Sequence, residues 1–157
     1  MTEVNTEKLN ELTGQIMNQT AGAVGVLLAY MGHELGLYRA LADGGPMLSD
    51  ELAASTDTSP RYVLEWLNAN VAGGYLAHDP LTDKFHITPK QEVLFANDGQ
   101  AGCMRGFFQV VVAAYLGEER NRDAFRTDDG IPWTSQHPCV FEGTRRLYGP
   151  HSMKGAC

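Results

Sequence analysis

The sequence lacks most of the features that would assign a chemistry early. It has three cysteines in 157 residues, at positions 103, 139 and 157. An odd, widely spaced set builds no disulfide framework and points to a reducing compartment. There is no Cys-x-x-Cys, and none of His33, His78, His86, His137 and His151 has another histidine four residues away, so zinc-ligand spacing is missing. His137 and Cys139 flank a proline and read as a structural loop pair. Neither a Gly-x-Ser-x-Gly elbow nor a nucleotide P-loop occurs. The longest apolar stretch, Phe107 to Leu116, is about half the roughly twenty residues that a membrane span needs. The first dozen residues are polar and carry no basic-then-apolar leader. A cytoplasmic location is expected.

Positive charge is also scarce. Lys+Arg is 12 against 19 Asp+Glu, a formal charge of −7. The deficit is uneven: residues 1–100 hold five bases against thirteen acids, residues 101–157 seven against six. A nucleic-acid or acidic-membrane surface needs concentrated positive charge, so the first hundred residues argue against both.

What is present is helical periodicity with clear punctuation. Residues 5–31 read as one long helix, with Leu9, Leu12, Ile16, Val24, Leu27 and Met31 on one stripe and Thr20 filling a step. Gly22 and Gly25 lower helix propensity, and with Ala21 and Ala23 they leave a shallow spot that another backbone can approach. Two readings stand: a helix folded back on its own domain, or one shared with a partner chain. The small remainder of the domain favours the second, with Leu9, Leu12, Ile16, Val24 and Leu27 as a homodimer interface.

A second helix is expected over His33–Ala42, stopped by Asp43-Gly44-Gly45-Pro46. Ser49 reads as the N-cap of a short helix to about residue 55. Ser59-Pro60 reads as cap and first position of a helix over Arg61–Val71, closed by Gly73-Gly74. Tyr75–His78 and Lys84–Thr88, joined by Asp79-Pro80-Leu81-Thr82-Asp83, read as a β-hairpin. Thr88-Pro89 opens a helix over Lys90–Ala96. This order is a winged helix-turn-helix, and its elements agree with their own punctuation. Beyond it, Ala101–Gly117 reads as an apolar helix and Glu118–Phe125 as a charged one. His137–Phe141 reads as a loop, Glu142–Tyr148 as a last helical turn or two, and Gly149–Cys157 as a fraying tail. The fold class is mainly α. The expected divisions are a dimerisation helix (1–32), a winged helix-turn-helix domain (33–100) and a helical connector (101–157).

A winged helix suggests DNA, but the charge does not. From Leu48 to Gly74 the one base is Arg61, against Asp50, Glu51, Asp57 and Glu65. The wing sets Lys84 against Asp79 and Asp83. A DNA reader places bases on both helices and on the wing. Asn68 and Asn70, read as exposed helix residues, are weak candidates for adenine edges.

Five short segments carry a resemblance to a known family. Gly32–Ala42 (GHELGLYRALA) and Leu48–Thr56 (LSDELAAST) are followed by Pro60–Leu67 (PRYVLEWL), Gly73–Leu76 (GGYL) and Phe85–Pro89 (FHITP). In this order they resemble the N-terminal winged-helix domain of bacterial class I SAM-dependent methyltransferases, over roughly residues 20–145. The resemblance implies a domain that dimerises and covers the substrate pocket of a catalytic domain, and that does not itself bind S-adenosylmethionine. Catalysis in that family needs a Rossmann-like domain with a glycine-rich turn after its first strand. No D/E-x-G-x-G-x-G turn occurs, and 57 residues after position 100 are too few for a typical domain of about 100–150. The chain therefore reads as a fragment, a truncated gene product or a frameshifted end. It is expected to be inactive alone, with no catalytic, cofactor or metal residues of its own. S-adenosylmethionine would serve the full-length family, and its substrate would be a small molecule. Trp133 is a candidate for a pocket or docking surface, with Tyr30, Phe107 and Phe108 as further substrate-facing candidates for which core packing competes. The alternative function is a DNA-binding transcriptional regulator.

Overall fold

The computed structural model describes residues 4–98, 100 and 102–152. The chain runs α1 (Thr6–Glu34), α2 (Leu37–Gly44), α3 (Ser49–Ser55), α4 (Pro60–Ala72), β1 (Ala77–Asp79), β2 (Lys84–His86), α5 (Pro89–Phe95), α6 (Arg105–Leu116), α7 (Glu118–Thr127) and α8 (Pro138–Ser152). A single 3-10 turn, Trp133–Ser135, separates α7 from α8. The fold is mainly helical, with a two-stranded antiparallel sheet.

Helix α1 starts where Asn5 accepts the Lys8 amide on its side chain at 3.1 Å. It runs past residue 31, so His33 and Glu34 belong to it and not to the second helix. The break falls at Gly36, whose φ of +72° is open to glycine at little cost. At 29 residues α1 is about 43 Å long, yet only Ala29 and Gly32 are buried along it. Everything from residue 4 to residue 22 is exposed.

The core forms where α2, α3 and α4 meet the second half of α1. Leu37, Tyr38, Leu41, Leu52 and Leu67 are fully buried. Trp66 donates its indole N–H to the Leu28 carbonyl at 2.9 Å, which fastens α4 to α1. There is no room at Gly32: a Cβ would stand 2.3 Å from the Trp66 ring. Pro60 is the first residue of α4, with Ser59 as its cap. Ser49 is not the cap of α3. Leu48 takes that place, and its backbone N–H donates to the Glu51 carboxylate at 2.8 Å.

The wing is shorter than the alternation suggests. Its register pairs Ala77 with His86, His78 with Phe85 and Asp79 with Lys84. Tyr75 and Leu76 stay out of the ladder because both amides turn back to the Asn70 carbonyl, at 2.8 and 3.3 Å. The sheet gains a third edge that the alternation does not signal. Met47 exchanges both backbone hydrogen bonds with Phe85, at 2.9 and 2.8 Å.

After the wing, Thr88 and Gln91 close the start of α5, Gln91 accepting from the Thr88 amide at 2.9 Å. Helix α6 begins at Arg105, later than expected; Ala101 lies outside the described residues. Helix α8 corrects two expectations. His137–Phe141 is not a loop, because Pro138 sits at the first helical position and His137 accepts the Cys139 amide on Nδ1 at 3.2 Å. The segment from Gly149 to Ser152 is helical and not frayed; residues 153–157 of the expected tail lie outside the described residues. α6 and α8 touch backbone to backbone. A Cβ on Gly143 would lie 2.7 Å from the Gly106 carbonyl oxygen, and one on Gly106 equally close to the Gly143 oxygen.

Candidate functional site

Two apolar surfaces are left open by this arrangement. The first lies along α1. Its stripe residues Leu9, Leu12, Ile16, Val24 and Leu27 are all between 44% and 53% exposed. Where α1 crosses α4 the two helices leave an apolar groove on each side. One, of about 560 Å³, is walled by Ala21, Gly22, Gly25, Ala69, Gly73 and Tyr75. It contains the shallow small-residue spot read from the sequence. The other, of about 380 Å³, is floored by Met31, Leu35, Leu37 and Trp66, with Tyr62 and Glu65 at its polar rim.

The second surface is the outer side of α6 and the segment after it. Phe107, Val111 and Tyr115 recur every four residues and are exposed, while Phe108 and Val112 face inward. Trp133 is 60% exposed and meets Phe141 edge-on at 5.3 Å. Phe125 on α7 is almost wholly exposed.

The four substrate-facing candidates do not converge. Phe108 is buried and stacks on Phe95 at 5.9 Å, inside the core. Tyr30 is half-buried against α8, its hydroxyl 3.7 Å from the Cys139 thiol. Burial and that contact push the Tyr30 phenol up to about 12. Phe107 and Trp133 are on the outside. Neither α1–α4 groove is lined by any of the four.

On the helix that would read DNA, Arg61 and Asn68 are exposed. Asn70 is not exposed: it is buried, accepts from the Tyr38 hydroxyl and donates to the Trp66 carbonyl at 2.8 Å. The Tyr38 partner shows why a polar residue sits there. Burial holds the Tyr38 phenol well above its ordinary value. The wing's base is also engaged, with the Lys84 ammonium 3.4 Å from the Pro46 carbonyl and 3.9 Å from Glu51.

No cluster of metal-ligating side chains occurs among the described residues, and no described helix is long and apolar enough to cross a membrane. The described strands form one antiparallel hairpin with the Met47 bridge. They offer no parallel strand followed by a glycine turn and helix, the arrangement that cradles a nucleotide-like cofactor. The residues described here therefore do not fit S-adenosylmethionine.

Comparison with known proteins agrees with the geometry of the first hundred residues. Residues 22–96 match the sequence model of the Rv2258c-like winged HTH domain. That segment is a winged helix-turn-helix domain. The match begins inside α1, at residue 22. No curated protein matches the chain. Among solved structures, the chain is similar to the mitomycin 7-O-methyltransferase MmcR, with a TM-score of 0.69 at 17% identity over 96% of this chain and 47% of that one. It is similar to PigF, solved with SAH, with a TM-score of 0.66 at 17% identity over 87% of this chain and 43% of that one. It is also similar to the N,N-8-amino-8-demethyl-D-riboflavin dimethyltransferase RosA from Streptomyces davawensis, with a TM-score of 0.57 at 20% identity over 98% and 46%. The chain thus spans less than half the length of each. At these identities the likeness establishes the fold, which extends past the winged-helix domain into α6–α8.

Proposed function

We propose that this chain is the dimerising, substrate-covering region of a small-molecule methyltransferase that uses S-adenosylmethionine. The observation that carries this reading is the extent of the structural likeness. It includes α6–α8, which a winged helix needs for no step of DNA binding. The two open apolar surfaces support it, since each expects a cover. The α1 stripe would meet a second copy of this chain in a homodimer. The outer face of α6, with Trp133 and Phe141, would meet a catalytic domain. Leaving such stripes open is costly, because each large side chain buried is worth roughly 1.5–3 kcal/mol, and soluble monomers seldom expose contiguous apolar patches beyond about 600 Å². On this reading residues 1–32 serve dimerisation, 33–100 the cover and 101–157 the connection. The chain alone transfers no methyl group. Such a protein would work in the cytoplasm.

Two measurements test this. Sedimentation of the full chain should report a dimer, and removal of residues 1–28 should lower its mass to a monomer; a monomer in both cases removes the dimer. Calorimetry with S-adenosylmethionine should show no heat of binding to this chain, and measurable binding would overturn the division of roles. The winged helix itself favours a second reading, a transcriptional regulator. Retention of genomic fragments in a gel shift at low salt, weakening steeply as salt rises, would favour that reading over ours.

A further inference from the structure

The α6–α8 pair packs on the winged-helix domain through Phe108 and Tyr30, and beside that packing lies a polar joint built around a carboxylate between two guanidinium groups. Asp98, just after α5, accepts from Arg105 of α6 at 2.6 Å and from Arg146 of α8 at 2.5 and 2.6 Å. Arg105 also reaches back to Glu34 of α1 at 3.1 Å, and Arg146 reaches Glu142 at 2.9 Å. Beside them is His33, the last-turn histidine of α1. Its ring is wedged between Tyr38 at 5.1 Å and Phe108 at 5.9 Å. Its Nε2 is buried without a hydrogen-bond partner, as are Nε of Arg105 and Nε of Arg146. The joint therefore contains a titratable ring with no counter-ion of its own, next to two fixed cations whose one shared anion is already bound.

We propose that this joint is an acid-sensitive hinge, in which Asp98 is the latch and protonation of His33 releases the α6–α8 pair from the winged-helix domain.

The charges facing His33 come from every element at the joint. Glu34 follows it on its own helix, the Tyr38 phenol of α2 lies against its ring, Asp98 lies on the α5–α6 connection, Arg105 on α6 and Arg146 on α8. The acids are engaged: Asp98 with both arginines, Glu34 with Arg105, Glu142 with Arg145 and Arg146. A proton on His33 thus adds a cation beside Arg105 and Arg146, whose shared anion Asp98 is already engaged by both, in a setting that burial has dried. Burial, seconded by Arg105, lowers the His33 imidazole to about 4. When the joint opens the ring regains its ordinary value near 6.5, so protons bind the open form more tightly. The closed form is then favoured above pH 6.5 and loses ground as pH falls from 6.5 toward 4. Asp98 behaves differently. Burial would raise its carboxyl, but the bonds and charges of Arg146 and Arg105 outweigh that and hold it below the ordinary range. It stays ionised across the window in which His33 acts.

The Met104 amide reports on opening, because it bonds to the Leu94 carbonyl across the joint at 2.8 Å. Hydrogen exchange of the full chain, followed by NMR and corrected for intrinsic rates, should show Met104 protection falling roughly twentyfold between pH 7 and pH 5. Protection of the Leu67 amide inside α4 should stay level. His33→Phe, which keeps a flat ring, should abolish the fall. Asp98→Asn should lower Met104 protection at pH 7 by roughly tenfold or more. Direct titration of the His33 ring in the wild-type chain settles the matter even if His33→Phe does not fold. A midpoint below 5 supports the hinge, and a midpoint near 6.5 overturns it. Equal losses at Met104 and Leu67, a fall that persists in His33→Phe, or no effect of Asp98→Asn would each overturn it as well.

Discussion

The two ends of α1 belong to the same helix but differ in what supports them. From Ala29 to Glu34 the helix is fixed by Trp66, Tyr38 and the Asp98 joint, and a single added methyl at Gly32 would collide with an aromatic ring. From residue 4 to residue 22 every residue is exposed, and none of the described residues buries its side chains. The same contrast separates the winged-helix core from the α6–α8 pair. The core buries its large side chains on all sides, with Phe108 from α6 closing it, while α6 leaves its outer residues Phe107 and Tyr115 exposed. A helix propagates by its own hydrogen bonds, so its existence does not require that its apolar stripe be covered within the chain. Most helix stability in proteins comes from packing of the apolar face, so the free half of α1 gains most from a partner.

The sharpest way to break this contrast is in the core. Leu67→Ala removes a fully buried side chain and should cost about 2–5 kcal/mol, read as a lower melting temperature of the whole chain. Gly143→Ala strikes the other region. It forces α6 and α8 apart and should cost about 1–3 kcal/mol. The loss should be confined to hydrogen-exchange protection of α6 and α8, with α4 unaffected; a uniform loss would mean that the two regions unfold as one. Asn70→Ala deprives the Tyr38 hydroxyl of its partner inside the core and should cost about 1–3 kcal/mol in chemical denaturation. The smallest effect is expected on the open face. Phe107→Ser with Tyr115→Ser should change stability by less than about 1 kcal/mol while lowering the binding of a dye that reports apolar surface. Undiminished dye binding would place the sticky surface elsewhere, on the α1 stripe first.

Much of the fold was readable from local chemistry. Ser59-Pro60, Thr88-Pro89 and Gly73-Gly74 mark helix ends wherever they occur, and the structure starts or stops helices there. His137-Pro138 carries the same signal, but the absence of a periodic apolar stripe after it hid the start of α8. Met47 gave no signal at all, since a one-residue bridge has no alternation to read. The candidate surfaces were legible in part. The α1 stripe followed from periodicity, and its exposure is what the structure shows. Phe107 and Phe108 were adjacent and chemically alike. Which one faces the core depends on where α8 and α5 lie, and their neighbours in sequence hold no record of that.

The amino-acid sequence by itself determined the helices of the winged-helix unit, the turns between them, the hairpin and the acidity of that unit's surface. These depend on residues within a few positions of each other, where caps, prolines, glycines and periodic side chains act directly. Only the tertiary structure decided that Asn70 is a core hydrogen-bonding residue, that Trp66 ties α4 to α1, and that His33, Asp98, Arg105 and Arg146 share one joint. Asp98 and Arg146 are 48 residues apart. A contact over that distance forms only once the burial of Tyr38, Leu67 and Phe108 has brought α1, α6 and α8 together. The pairing is therefore a product of packing, and no local propensity encodes it.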